Sequence, residues 1–123
     1  MSAKPELSTP ARTIEAYVAA CRDGDVVMLR ALFAPDALMF GFYQGEYYLG
    51  TPEIFFDEVR DNPSPAPTGS EYVGRIISVE QYDRIAQVSL AEQGYLGADF
   101  SNIFQLALID DSWLIVSKGY MNS

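Results

Sequence analysis

"GADFSNIFQLALIDDSWLIVSKGY", residues 97–120, decides the fold. Two runs of β-prone residues flank Asp110, Asp111 and Ser112, a connection so short that the strands it joins must be antiparallel. On the alternating register Phe100, Asn102, Phe104, Leu106 and Leu108 share one face, and only Asn102 among them is polar. Extended outward, the same pattern predicts strands over about 71–80, 84–94, 98–109 and 113–121, with Tyr82-Asp83 and Leu96-Gly97 as the other turns. The second half of the chain is therefore a β-meander.

The first half carries helix signals. After a mobile tail expected over residues 1–8, Thr9 and Pro10 give a cap and a first-turn proline, and Ile14, Tyr17, Val18 and Cys21 recur at helical spacing up to Gly24. Asp25 caps a second helix that buries Leu29, Leu32 and Phe33 before Pro35 stops it. "ALMFGFYQGEYYLG" then reads as two short strands about Gln44-Gly45. Thr51-Pro52 starts a third helix with Ile54, Phe55 and Val59 on its apolar side, and the proline-rich residues 62–70 form an extended loop. Helices first and a long antiparallel sheet after predict an α+β domain over residues 9–123.

Composition narrows the function. A net charge of -9 repels nucleic acid and anionic membranes. No apolar run approaches the roughly 18 residues of a membrane span, and the N-terminus has no signal-peptide core, so the expected compartment is the cytoplasm. One cysteine, Cys21, excludes an intrachain disulfide and paired-cysteine metal motifs. The absence of histidine removes serine or cysteine triads of the histidine type and histidine metal sites, so neither a metal nor a cofactor is expected.

The order of elements resembles the nuclear transport factor 2-like superfamily, with its cone-shaped domain of three helices on a strongly curved sheet. "AYVAACRDGDVVMLRALFAPDA" is similar to its first two helices and "FSNIFQLALIDDSWLIVSKGY" to its closing hairpin. Within it, the lumazine-binding-like group has last strands of the form F-x-D-x-x-x-L and W-x-I-x-x-K, matched here by Phe100, Asn102 and Leu106, then Trp113, Ile115 and Lys118. Asn102 replaces the group's usual aspartate, and Ala34 stands where a histidine is common. More distantly the chain resembles ketosteroid isomerase, which implies hydrogen-bond donors at Tyr17 and Asn102 but leaves Gly41 at the position of its catalytic base.

Two readings stand for most candidate residues. Tyr17 and Asn102 are either donors in a dry cavity or, respectively, core packing and an internally bonded amide. Lys118 shares parity with Leu114, Val116 and Tyr120, and is either a buried base or anion clamp, or a strand-end lysine that reaches water and pairs with a carboxylate. Phe33, Phe40, Phe42, Phe55, Phe100 and Phe104, with Tyr43 and Tyr47, either line a pocket for a flat ligand or fill the core. Trp113, on the other parity from Lys118, is expected on the outer sheet face or in a subunit interface. Asp57, Glu58 and Asp61 are expected on a solvated helix face, and Asp99 is expected exposed. The resulting expectation is a small-molecule-binding domain for a hydrophobic or aromatic molecule, dimerising through the outer sheet face. The alternative is a cofactor-free isomerase, cyclase or dehydratase acting on a carbonyl compound.

Overall fold

The computed structural model describes residues 6–62 and 72–123. The proline-rich loop expected over 62–70 falls, apart from Asn62, outside the described residues. Helix α1, Pro10–Asp23, starts where Thr9 accepts a hydrogen bond from the Arg12 N–H at 3.1 Å and ends at Gly24 in the left-handed region. Asp25 caps α2, Val26–Leu32, by accepting from the Met28 N–H. The buried residues of α1 are Pro10, Thr13, Ile14, Tyr17, Ala20 and Cys21, a stripe at the spacing of one helical face.

Strands β1, Phe33–Tyr43, and β2, Glu46–Gly50, form a hairpin closed by Gln44 and Gly45, both at positive φ. Helix α3, Glu53–Asp61, follows, with Pro52 at its N-cap, and then β3, Val73–Tyr82, β4, Ile85–Tyr95, β5, Ala98–Ile109, and β6, Ser112–Asn122. The sheet order is β2-β1-β6-β5-β4-β3. All neighbours are antiparallel except β1 and β6, which run parallel. Among the described residues the molecule is thus α+β, with a mostly antiparallel six-stranded sheet and three helices. Among the described residues two helices precede the sheet; α3 sits between β2 and β3 and is not part of an N-terminal helical block.

Phe33 does not end α2 as the sequence suggested; it opens β1, paired with Ile115. The register of the β1–β6 pairing breaks between Phe33 and Leu38, and that irregular stretch accommodates Pro35, which has no N–H to give to a ladder.

Irregularities in two other strands decide which side chains face inward. In β4 the pairing with β5 jumps from Glu92 to Tyr95, with Gly94 at φ 74 and its N–H donated to the Asp99 side chain at 3.1 Å. In β6 Gln105 pairs with Ser117 but Leu106 pairs with Ile115, so Val116 is the extra residue. Each bulge reverses the alternation of its strand. Trp113 and Ile115 are therefore buried on the same side as Lys118, which corrects the outward placement of Trp113. Trp113 lies in the hydrophobic core, its N–H donated to the Leu7 carbonyl at 3.0 Å, and its own carbonyl accepts from the buried Thr13 hydroxyl at 2.7 Å.

The core lies between the helices and the inner sheet face: Ile14, Tyr17, Leu29, Leu32, Phe56 and Val59 meet Val88, Leu90, Phe104, Leu106, Trp113 and Ile115. On the opposite face Leu38, Phe40, Phe42, Leu49, Ile103 and Met121 are exposed. Among the described residues no helix is long and apolar enough to cross a membrane.

Candidate functional site

A cavity of about 330 Å³ opens between the inner sheet face, α1 and α3. Its deep end is polar: Tyr17 from α1, Glu92 from β4, Asn102 from β5 and Lys118 from β6 all line it, and all four residues are buried. Phe55, Tyr95, Phe100 and Tyr120 form aromatic walls, while Glu46, Ile54, Glu58 and Leu96 are exposed at its rim.

The Glu92 carboxylate organises the floor. Oε2 accepts from the Tyr72 hydroxyl at 2.5 Å, and Oε1 accepts from Asn102 Nδ2. A carboxylate can only accept, so this contact fixes the orientation of the Asn102 amide, with nitrogen toward Glu92. The remaining amide oxygen, Oδ1, is buried with no hydrogen-bond partner, and so is the Tyr17 hydroxyl. Asn102 therefore presents an acceptor, whereas its resemblance to an oxyanion-hole residue implied a donor. An aspartate at this position would set a second carboxyl group against Glu92, a pairing that strongly disfavours ionising both; the amide gives a hydrogen bond instead.

Lys118 neither snorkels nor forms an ion pair among the described residues. Its Nζ lies 3.5 Å from the centroid of Phe55, 5.5 Å from that of Tyr17 and 5.8 Å from that of Tyr120. Desolvation pulls its pKa below the usual lysine range, and the charge of Glu92 works against that shift. The ring faces offset part of the lost hydration by cation–π attraction.

Desolvation also holds the phenols neutral. Burial raises the pKa of Tyr17, Tyr72 and Tyr95 well above the usual value, and nearby negative charge adds to it: Glu92 beside Tyr72, and Glu58, which accepts from the Tyr95 hydroxyl at 3.1 Å, beside Tyr95. Burial and Glu92 push the Cys21 thiol up to about 12. An unpartnered buried hydroxyl costs about 1–3 kcal/mol. Tyr17→Phe is accordingly expected to stabilise the unliganded protein by about 1 kcal/mol, read as a higher urea midpoint. A lower midpoint would show that water already satisfies the hydroxyl.

Of the aromatic candidates, Tyr43, Tyr47, Phe55 and Phe100 line the cavity together with Tyr17, Asn102 and Lys118. Phe33 packs edge-on against Phe56 at 5.2 Å and Phe104 against Tyr17 at 4.8 Å, both in the core. Phe40 and Phe42 are on the outer face of the sheet, because the alternation of β1 turns Met39 and Gly41 inward. Gly41 has no room for a catalytic side chain: a Cβ there would lie 2.1 Å from the Tyr120 carbonyl oxygen.

Sequence reasoning did not name Glu92, Tyr95 or Tyr120 as lining residues, and it put Glu58 on a solvated helix face. Glu92 was legible, since Ala86, Val88 and Leu90 carry the inward alternation to it. Tyr95 was not, because the bulge at Gly94 reverses its parity. Glu58 is exposed on α3 as expected, yet it stands at the rim in contact with Tyr95. Among the described residues no three of His, Cys, Asp and Glu come together as metal ligands.

A family model described as "Putative lumazine-binding" matches residues 6–121. The chain belongs to this family. No curated protein matches it. Solved structures described as NTF2-like share its fold. An NTF2-like protein of unknown function from Methylobacillus flagellatus KT superposes with a TM-score of 0.84 at 21% identity, over 92% of this chain and 88% of that one. Another, from Silicibacter pomeroyi DSS-3, gives 0.81 at 26% identity over 92% of each chain. A domain of unknown function with a cystatin-like fold from Nostoc punctiforme PCC 73102 gives 0.67 at 16% identity, over 90% and 73%.

Proposed function

We propose that this lumazine-binding-type domain holds a small, flat, partly apolar molecule in the cavity between its sheet and helices. The observation that carries the reading is the pair of buried, unpartnered polar atoms, Tyr17 Oη and Asn102 Oδ1, on residues lining an aromatic-walled cavity. Buried polar groups are nearly always satisfied, so two orphans at one site point to a partner the polypeptide does not supply. The family's own description, which names a small heteroaromatic molecule, is consistent with this. Titration of isotopically labelled protein with bicyclic aromatic probes is expected to move the amide resonances of Asn102, Lys118 and Phe55 together. Shifts confined to the outer face would refute it.

A second, catalytic reading rests on Lys118, an amine whose burial favours its neutral form in the same cavity as the Tyr17 phenol. In it Tyr17 polarises a carbonyl and Lys118 takes the adjacent proton. Deuterium exchange into an enolisable ketone at the same rate with wild type and Lys118→Met would exclude it.

The same proposal includes a homodimer built on the outer sheet face. Leu38, Phe40, Phe42, Leu49, Ile103 and Met121 form an apolar surface across β2, β1, β6 and β5, and a second copy would cover it. Light scattering at micromolar concentration is expected to give twice the chain mass, and Phe40→Glu the single mass. A monomer in the wild type overturns the assignment.

A further inference from the structure

Building on the ligand-binding reading, we infer that the occupant carries a paired donor and acceptor on one edge: an N–H or O–H beside a carbonyl or enolate oxygen, on a flat ring system. The inference starts from the Asn102 amide. Glu92 takes its nitrogen, so the group offered at the cavity floor is a buried acceptor that needs a donor. The other two polar groups there have the opposite need. The Tyr17 hydroxyl has no oxygen or nitrogen acceptor and only the weakly accepting Cys21 sulfur beside it, and the Lys118 amino group carries N–H donors with no anion in ion-pair reach among the described residues.

These groups do not satisfy one another, although the sheet sets two of them close. Phe104 pairs with Lys118 and Asn102 with Tyr120, which makes Asn102 and Lys118 diagonal neighbours on adjacent strands, roughly 7–8 Å apart. Tyr17 stands over Phe104, its ring centroid 4.8 Å away. That spacing leaves room for one polar edge. An oxygen on the ligand accepts from Tyr17 and Lys118, and an N–H or O–H next to it donates to Asn102 Oδ1. A plain ketone leaves the amide oxygen unsatisfied, and a hydrocarbon leaves all three groups so. The nearby Phe55, Tyr95, Phe100 and Tyr120 rings favour a flat body. The N–H donors of Lys118 favour an edge whose oxygen is a strong acceptor, as in a cyclic amide or an enol.

The experiment is calorimetric titration with three probes of one shape: 2-quinolone, which has the N–H and C=O edge, 1-methyl-2-quinolone, which keeps only the acceptor, and naphthalene, which has neither. 2-Quinolone is expected to bind ~10-fold tighter than its methyl derivative, because the latter leaves a buried acceptor unpaired. Asn102→Ala should erase that preference, which a merely steric effect of the methyl group would not allow. Tyr17→Phe, whose lost hydroxyl has no protein partner and so leaves the fold intact, should weaken both quinolones ~10-fold and leave naphthalene unchanged. Equal binding of all three probes would overturn the donor–acceptor edge while keeping the cavity as an apolar site. Binding of none would remove the ligand-binding reading together with this inference.

Discussion

Glu92→Ala is expected to destabilise the protein by about 3–5 kcal/mol, since leaving a buried donor unsatisfied costs about 1–3 kcal/mol and two lose their acceptor. The change deprives the Tyr72 hydroxyl and Asn102 Nδ2 of their acceptor at once, and it takes from Lys118 the carboxylate that most offsets its desolvation. For a domain of this size the loss corresponds to a fall in melting temperature of roughly 10–20 °C. The interaction is separable by a double-mutant cycle. Adding Lys118→Met to Glu92→Ala should recover part of the loss, since the uncompensated ammonium is then gone. Urea unfolding of the four proteins reads both effects. A loss under about 1 kcal/mol in the single mutant would mean that water reaches the floor and replaces Glu92 as acceptor.

A steep loss of stability above pH 10 is the second large effect. Tyr17, Tyr72 and Tyr95 have folded-state pKa values raised above the ordinary 10.0. Below that pH both states hold the phenolic protons and the groups make no difference. Above it the unfolded chain releases protons that the folded protein retains, so stability falls by about 1.4 kcal/mol per pH unit for each phenol, about 4 kcal/mol per unit for three. Cys21 acts with the same sign in a lower window, from its ordinary 9.0 up to about 12. Lys118 has the opposite sign. Its folded pKa is depressed, so stability rises with pH from that value to the unfolded lysine value near 10.4, where its contribution stops changing. Above pH 10.4 only the falling contributions remain. Denaturant unfolding at stepped pH, followed together with phenolate absorbance, should show the phenols ionising in step with unfolding. Because Tyr43, Tyr47 and Tyr82 are exposed, the buried phenols are read by difference: folded-state phenolate absorbance that disappears when Tyr17, Tyr72 or Tyr95 is replaced by Phe would place that hydroxyl in contact with solvent.

Most of the element plan was legible because its signals are local. Thr9-Pro10 with Gly24 bounded α1, Asp25 opened α2, and Gln44-Gly45 closed the first hairpin. The alternation of Phe100 to Leu108 named the inner face of β5 correctly and singled out Asn102. A strand irregularity misplaced Trp113 and hid Tyr95. Trp113 and Tyr95 lie across bulges at Val116 and Gly94, and a single extra residue exchanges the two faces of everything beyond it. Phe40 and Phe42 were grouped with the pocket by residue type, where the parity of β1 turns them outward.

The sequence by itself determined the α+β class, the order of helices and strands, and the presence of an amide in an apolar stripe, because capping, turn chemistry and alternation act over a few residues. Tertiary structure decided what surrounds the amide. Residue 102 meets Glu92 from a neighbouring strand, Tyr17 from a helix 85 positions away in the chain and Lys118 across a bulge, and no local rule encodes that convergence. The parallel pairing of β1 with β6 is of the same kind. Both follow from how the inner sheet face is buried against the helices, where polar groups must be matched in three dimensions, and here the Tyr17 hydroxyl and Asn102 Oδ1 are left unmatched.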